Sequence, residues 1–260
     1  MGRIFLIPLT SQQLYDIILI ALNSFKCIKT TNKSNKGYKN DMIKILFIGN
    51  SHTYYNDLPL IAKDIFAAAG IDAEVTMLTQ GGKCLDWHYE QKQTRFNILY
   101  GGYDYIVLQS RASDFDPEAY LESGKKIYDE WISKTDATPI LYMVWSNKGK
   151  KKEEQPALTA ANVELAKYMN GRVAPAGEVW QTVLRRRPAP ELYREDGNHA
   201  TPCGSYLAAA SIFYAITERR RALRVNEGDE PHTRLGIDEK TAAAIHTIAC
   251  RTAIAFNEKE

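Results

Sequence analysis

The chain has 260 residues, 45% of them hydrophobic, and a formal net charge of +2. That length and apolar content suit one good-sized α/β domain, with a second domain possible but not required. The near-balanced charge gives nothing that suggests a nucleic-acid binder.

The charge is uneven. Residues 1–41 hold six Lys/Arg and two Asp, leaving 27 basic against 29 acidic residues in the rest. Ile4–Pro8 and Leu14–Leu22 are apolar, but Ser11, Gln12, Gln13 and Asp16 interrupt them. No unbroken span reaches the roughly 20 residues of a membrane helix, so no stable membrane insertion is expected. Arg3 gives a basic start, yet no small-residue cleavage site follows it, and a cytoplasmic location is expected. Residues 29–40 (KTTNKSNKGYKN) are polar and lack large aliphatics, which predicts disorder. Met42 stands directly before the first strand-like run. The expected organisation is a disordered or dispensable extension over 1–41, with Met42 as the natural start, and one catalytic domain over 42–260.

The first element is the stretch Lys44–Tyr55, KILFIGNSHTYY. Ile45–Ile48 read as a buried strand, Gly49-Asn50-Ser51 as a tight turn, and Leu58–Ala69 as a helix. A serine at such a turn lies at the carboxyl edge of its strand, where ligands bind in open α/β sheets. A turn serine alone is more often only a helix cap. A second strand is expected over Ala73–Leu78, running into Thr79-Gln80-Gly81-Gly82-Lys83. Paired glycines let backbone approach a ligand closely. Leu85–Tyr100 reads as one helix stopped by Gly101-Gly102, and Tyr103–Gln109 as the third strand. A polar connection over Ser110–Asp116 leads to an amphipathic helix, Pro117–Trp131.

The fourth strand is expected at Pro139–Trp145, and Asn147–Gln155 as a charged, solvated loop. Pro156–Met169 reads as a helix, Arg172–Ala174 as a short fifth strand, and Gly177–Arg187 as a helix ending in a basic run before Pro188. Basic residues in a last turn suit the helix dipole, so that run is not read as a nucleic-acid site. Asp196-Gly197-Asn198-His199 falls in a loop. It is followed by a strongly apolar helix, Gly204–Thr217, a loop over Val225–Leu235, and a closing helix over Asp238–Phe256. Strands alternating with helices argue for a mainly parallel five-stranded sheet covered on both faces, a three-layer α/β/α sandwich.

The late Asp196 and His199 supply what the turn serine lacks. A serine hydroxyl needs a base within hydrogen-bond reach, and imidazole suits that work at neutral pH. A carboxylate three residues before it can fix its tautomer and support the imidazolium that forms. His52, His88 and His199 are an alternative zinc set, but no acidic or thiolate partner stands at ligand spacing, so the serine reading is preferred and no metal or cofactor is expected. Cys27, Cys84, Cys203 and Cys250 lack metal-knuckle spacing and read as reduced thiols, small and buried. His52, Tyr54, Tyr55, Trp87, His88 and Trp145 fall at or beyond strand ends, where they can wall a sugar or acyl pocket or simply pack.

Together, the Gly49-Asn50-Ser51 turn after the first strand, a glycine after the second, a polar residue after the third and Asp196-x-x-His199 near the end resemble the SGNH hydrolases, the GDSL-like esterase and lipase superfamily. The resemblance covers roughly residues 43–218. It implies a flavodoxin-like three-layer sandwich, with Ser51 as nucleophile, His199 as general base and Asp196 as its orienting group. It further implies an oxyanion hole from the N–H of Ser51 and the N–H of Gly82, with Gly81 the alternative by a shift of one. The third block departs from the family pattern: Leu108-Gln109-Ser110-Arg111-Ala112-Ser113-Asp114 contains no asparagine. Gln109 is the side-chain amide nominated in its place, with Ser113 and Arg111 behind it. The implied activity is hydrolysis of an O-acyl ester, with a short acyl group such as acetate and a small-molecule or saccharide alcohol. The alternatives are O-acyl transfer at the same site, or a non-catalytic ligand-binding protein of the same fold.

Overall fold

The structure is a computed structural model that describes residues 42–149, 154–226 and 228–258. The expected extension over residues 1–41 lies outside the described residues. In chain order the elements are β1 (Ile43–Gly49), α1 (Ser51–Tyr54), a 3₁₀ turn (Tyr55–Asp57), α2 (Leu58–Ala68), β2 (Ala73–Thr79), α3 (Leu85–Tyr89), α4 (Lys92–Tyr100), β3 (Tyr105–Gln109) and α5 (Pro117–Glu130). A second 3₁₀ turn (Ile132–Lys134) precedes β4 (Thr138–Tyr142), α6 (Glu154–Tyr168), β5 (Arg172–Ala174), α7 (Ala176–Leu184), α8 (Pro202–Thr217) and α9 (Glu239–Asn257). The strands pair in the order β2-β1-β3-β4-β5, all parallel. This is the flavodoxin-like order, and its switch point falls between β1 and β3.

Parity along β1 builds the three layers. Ile45 and Phe47 point to one face, where they join Val107, Tyr142 and the helices α2, α7, α8 and α9. Leu46 and Ile48 point to the other, with Ile106, Leu108, Leu141 and residues of α3 to α6. A strand buried on both faces reads as a continuous apolar run, which is why β1 stands out in the sequence. Helix α8 is buried from Gly204 to Ile216 on every side. Its run Ala208-Ala209-Ala210 lets neighbours approach closely, and Phe213 meets Phe66 of α2 edge-on at 5.1 Å. Among the described residues no helix is long and apolar enough to cross a membrane.

Three expected elements change. Leu85–Tyr100 is two helices, because the Gln91 side chain donates to the Trp87 carbonyl that its own N–H would take in a continuing helix. Its backbone turns extended there, and α4 starts afresh at Lys92. The fourth strand stops at Tyr142, since its partner β5 ends opposite at Ala174. Met143–Trp145 remain fully buried outside the sheet, so their apolar run reports burial rather than strand. Helix α7 ends at Leu184, and Arg187 folds back to donate to the Leu184 and Arg186 carbonyls.

The packing of α8 yields a stability prediction. Ala209→Leu adds three carbons where no space exists and should lower the unfolding free energy by about 2 kcal/mol. An unchanged urea midpoint would show that the layer between sheet and α9 has slack.

Candidate active site

The sheet register brings four positions into one rank at the carboxyl edge. Gly49 pairs with Thr79, Gln109 pairs with Tyr142, and Ile48 pairs with Leu108 one step below. From this rank β1 breaks at Asn50 and enters the single turn of α1 at Ser51. Asn50 and Gln109 clasp each other: the Asn50 N–H donates to Gln109 Oε1 at 3.0 Å, and Gln109 Nε2 donates to Asn50 Oδ1 at 2.8 Å. The Asn50 Oδ1 also caps α1 by accepting from the His52 N–H, and its Nδ2 donates to the Lys83 carbonyl. The Thr53 hydroxyl donates to Gln109 Oε1 at 2.6 Å. Gly49 makes this possible, because a Cβ there would lie 2.5 Å from both Gln109 Oε1 and Thr53 Oγ1.

This network corrects the expectation for Gln109. Its second Nε2 hydrogen goes to the Ser110 carbonyl at 2.9 Å, so both amide hydrogens are spent inside the protein. The amide orientation is fixed by partners of one kind only: a backbone N–H facing Oε1 and a backbone carbonyl facing Nε2. Gln109 is buried and braces the turn; no hydrogen is left for an oxyanion. Of the other two third-block residues, the Ser113 hydroxyl accepts from Asn147 and the Arg111 guanidinium donates to the Cys84 sulfur.

Beyond β2, Gln80–Lys83 form a β-turn closed by Lys83 N–H to Gln80 carbonyl. Gly82 sits at φ +70°, the left-handed position that a type II turn gives to glycine. The Asn50-to-Lys83 bond ties this turn to the residue before Ser51. Among the described residues no acceptor takes the Gly82 N–H, and the Ser51 N–H, at the start of a helix, has no intrahelical acceptor.

The third contributor comes from residues 193–200. Asp196 Oδ1 accepts the Asn198 and His199 N–H groups, both at 2.9 Å, and Oδ2 lies 2.6 Å from His199 Nδ1. A carboxylate only accepts, so Nδ1 carries the proton and Nε2 presents its lone pair. His199 Nε2 lies 2.8 Å from Ser51 Oγ, which donates to it. Serine, imidazole and carboxylate thus form one unbroken chain. The His199 hydrogen bond, helped by the two backbone N–H groups, holds the Asp196 carboxyl well down, at about 2. The loop is pinned from outside by Trp145 Nε1 to the Asn198 carbonyl and by Lys148 N–H to the Gly197 carbonyl.

His52, expected at the rim, lies instead behind His199. It is buried, with its ring 5.2 Å from the His199 ring and 5.3 Å from the Trp145 ring. Burial first, and then the charge on His199, lower its pKa to about 4, so it stays neutral at neutral pH. His88 and Trp145 are also corrected. The His88 ring is buried and donates through Nε2 to the Gly49 carbonyl, while Trp145 stacks at 3.8 Å on Trp180 in the core. Trp87 is half-buried against the His88 edge, and Tyr54 stays exposed at the end of α1. Among the described residues no three His, Cys, Asp or Glu side chains gather as a metal site.

The sequence reading did not anticipate the turn after Tyr55. Asn56 and Asp57 both have positive φ, 55° and 54°, at a cost of roughly 1 kcal/mol each for side-chain-bearing residues. Asn56 Nδ2 anchors the turn by donating to the Ala200 carbonyl and to Ser205 Oγ. Consecutive Asn-Asp, residues that tolerate the left-handed region, was the available signal.

No protein-family model matches the sequence, and no curated protein does. Solved structures do match in shape. A DUF4886 family protein from Bacteroides uniformis superposes with a TM-score of 0.63 at 19% identity, over 84% of this chain and 97% of that one. A point mutant of Axe2, an acetyl-xylooligosaccharide esterase from Geobacillus stearmophilus, gives 0.54 at 14% identity, over 67% and 94%. A GDSL-like lipase from Parabacteroides merdae gives 0.54 at 14% identity, over 68% and 96%. The fold is therefore of the SGNH-hydrolase type.

The clasp generates a test of its own. Gln109→Ala leaves the Asn50 N–H and the Thr53 hydroxyl without their buried acceptor and should destabilise the fold by about 2–4 kcal/mol in urea unfolding. Gln109→Glu keeps both acceptor bonds but sets a carboxylate oxygen against Asn50 Oδ1 and the Ser110 carbonyl. It should destabilise as much, and less below the pH at which the carboxyl protonates. Unaltered stability in both variants would refute the bracing role.

Proposed function

We propose that the protein is a serine esterase that hydrolyses O-acyl esters through an acyl-enzyme. The observation that carries this reading is the continuous Ser51–His199–Asp196 hydrogen-bonded chain at the switch point of the sheet. Structural neighbours described as an acetyl-xylooligosaccharide esterase and a GDSL-like lipase support it at the level of reaction class.

In this mechanism His199 Nε2 takes the Ser51 proton as Oγ attacks the ester carbonyl. Asp196, already paired with Nδ1, stabilises the imidazolium that results. His52 matters here because it is neutral: a second cation stacked on His199 would oppose the proton transfer. The tetrahedral oxyanion is received by the N–H groups of Ser51 and Gly82. With Gln109 spent, the hole rests on these two backbone donors, each worth about 3 kcal/mol of transition-state stabilisation. His199 then gives its proton to the leaving alkoxide, and water, deprotonated by the same imidazole, releases the acid. The acyl group is short, such as acetate, and a sugar hydroxyl is the alcohol the family resemblance leads one to expect.

Ser51→Ala should abolish turnover of p-nitrophenyl acetate and covalent labelling by a fluorophosphonate, with an unchanged unfolding midpoint. Labelling elsewhere, or full activity in folded Ser51→Ala protein, would overturn the mechanism. No labelling of the wild type would favour the non-catalytic binder.

Asp196 gives a pH signature. Its carboxyl is depressed on folding, so its contribution to stability is fully present above the ordinary carboxylate value of about 4. That contribution is lost as pH falls towards about 2. The stability gap between wild type and Asp196→Asn should therefore close across that interval in pH-dependent urea unfolding. A gap that persists to the acid end would show that the carboxylate is not stabilised by its partners.

A further inference from the structure

His52 stands between two parts of the site that come from opposite ends of the chain. Its backbone N–H donates to Asn50 Oδ1 at 3.1 Å, and its carbonyl accepts from the buried Tyr142 hydroxyl at 3.2 Å. The residue is thereby fixed to the sheet edge, with its buried ring 30° from parallel to the His199 ring. His52 Nδ1 lies 3.3 Å from Asn50 Oδ1. That oxygen is an acceptor, because it takes the His52 N–H and a Gln109 amide hydrogen while Asn50 Nδ2 donates to the Lys83 carbonyl. Nδ1 therefore carries the ring proton, and the neutral ring has a lone pair at Nε2.

His52 Nε2 is buried without a hydrogen-bond partner among the described residues, and so is Asn198 Oδ1. Asn198 bears directly on the His52 ring. Its backbone is already committed, the N–H to Asp196 Oδ1 and the carbonyl to Trp145 Nε1. That leaves its carboxamide. Turned over about its last bond, the carboxamide offers Nδ2 to the His52 lone pair and takes Oδ1 from a place where nothing donates to it.

We infer that His52 is a positioning residue that links the Ser51 turn to the His199 loop, donating through Nδ1 to Asn50 and accepting through Nε2 from the Asn198 carboxamide. Asn50 immediately precedes Ser51 and Asn198 immediately precedes His199, so one ring couples the residues beside serine and imidazole. The inference rests on the esterase reading only in tying turnover to the placement of His199 against Ser51. It goes beyond the neutrality of His52, since a ring without nitrogens is equally neutral and packs alike but leaves the loop unlinked.

His52→Phe makes that distinction, and Asn198→Ala removes the other end of the link. Each should lower kcat for p-nitrophenyl acetate about tenfold, with KM nearly unchanged. The double variant should lose no more than the larger single loss, because both changes break one link. Unchanged kcat in either folded single variant, or losses that multiply in the double, would overturn the link. Should His52→Phe fail to fold, Asn198→Ala and an ester-free measurement decide. That measurement is the histidine ring ¹⁵N NMR spectrum at neutral pH, with His52 assigned by its loss in His52→Phe, or by elimination from variants of the other histidines. His52 should be protonated at Nδ1, and Asn198→Ala should shift its Nε2 signal towards that of a lone pair with no hydrogen bond. A proton on Nε2, or an Nε2 signal that Asn198→Ala does not move, would overturn the link even where fluorophosphonate labels Ser51. If the wild type turns over no ester and takes no label, the esterase reading falls and the spectrum alone decides the link.

Discussion

The site depends on the reciprocal hydrogen bonding of Asn50 with Gln109. A parallel strand that ends in a turn leaves backbone donors and acceptors without partners, and burying them unmet costs about 1–3 kcal/mol each. Here one side chain from β3 satisfies the Asn50 N–H, the Asn50 carbonyl side-chain oxygen and the Thr53 hydroxyl together. The turn is thereby fixed from inside the sheet, and the Asn50 amide passes that constraint to the Lys83 carbonyl of the neighbouring loop. Ser51 and the Gly81-Gly82 turn are held relative to each other without any contact to a ligand. Preorganisation of this kind is what makes backbone N–H groups effective towards a developing charge.

His199 comes from the far end of the chain, and a loop residue needs an equally firm hold. Asp196 fixes the ring from one side, while His52 and Tyr55 pack near its faces. Trp145 and Lys148 hold the loop backbone, and Asn56 ties Ala200 to the segment that follows Ser51. Imidazole and serine therefore belong to one hydrogen-bonded unit although 148 positions separate them. The left-handed Asn56-Asp57 turn is the backbone cost of that junction, offset by the two bonds that Asn56 makes.

The electrostatics of the site are local. Asp196 is half-exposed and keeps its charge through hydrogen bonding rather than burial. His52 is buried and stays neutral because burial penalises its cation. Two groups near one imidazole are thus held in opposite charge states by different physical causes. In the proposed mechanism, that division lets the imidazole gain a proton beside a carboxylate without meeting a second cation.

The sequence by itself determined the layer architecture and the chemical partners. Continuous apolar runs in β1, β3 and β4, alternating with amphipathic or small-residue helices, permit little besides a parallel sheet covered on both faces. Gly49-Asn50-Ser51 and Asp196-x-x-His199 were legible because local spacing alone constrains a turn serine and an Asp–His pair. Tertiary structure decided what each polar side chain near the edge does. Gln109 has the right chemistry for an oxyanion donor, but whether its hydrogens are spent depends on Asn50, 59 positions away. His52, His88 and Trp145 have the composition of a pocket wall, yet packing against His199, Gly49 and Trp180 turns them inward. Tyr54 and Tyr55 share that composition, and here tertiary structure keeps them at the site, Tyr55 half-buried beside the imidazole and Tyr54 exposed. Hydrogen-bond saturation and side-chain direction at a sheet edge are set by neighbours distant in sequence, and no local pattern encodes them.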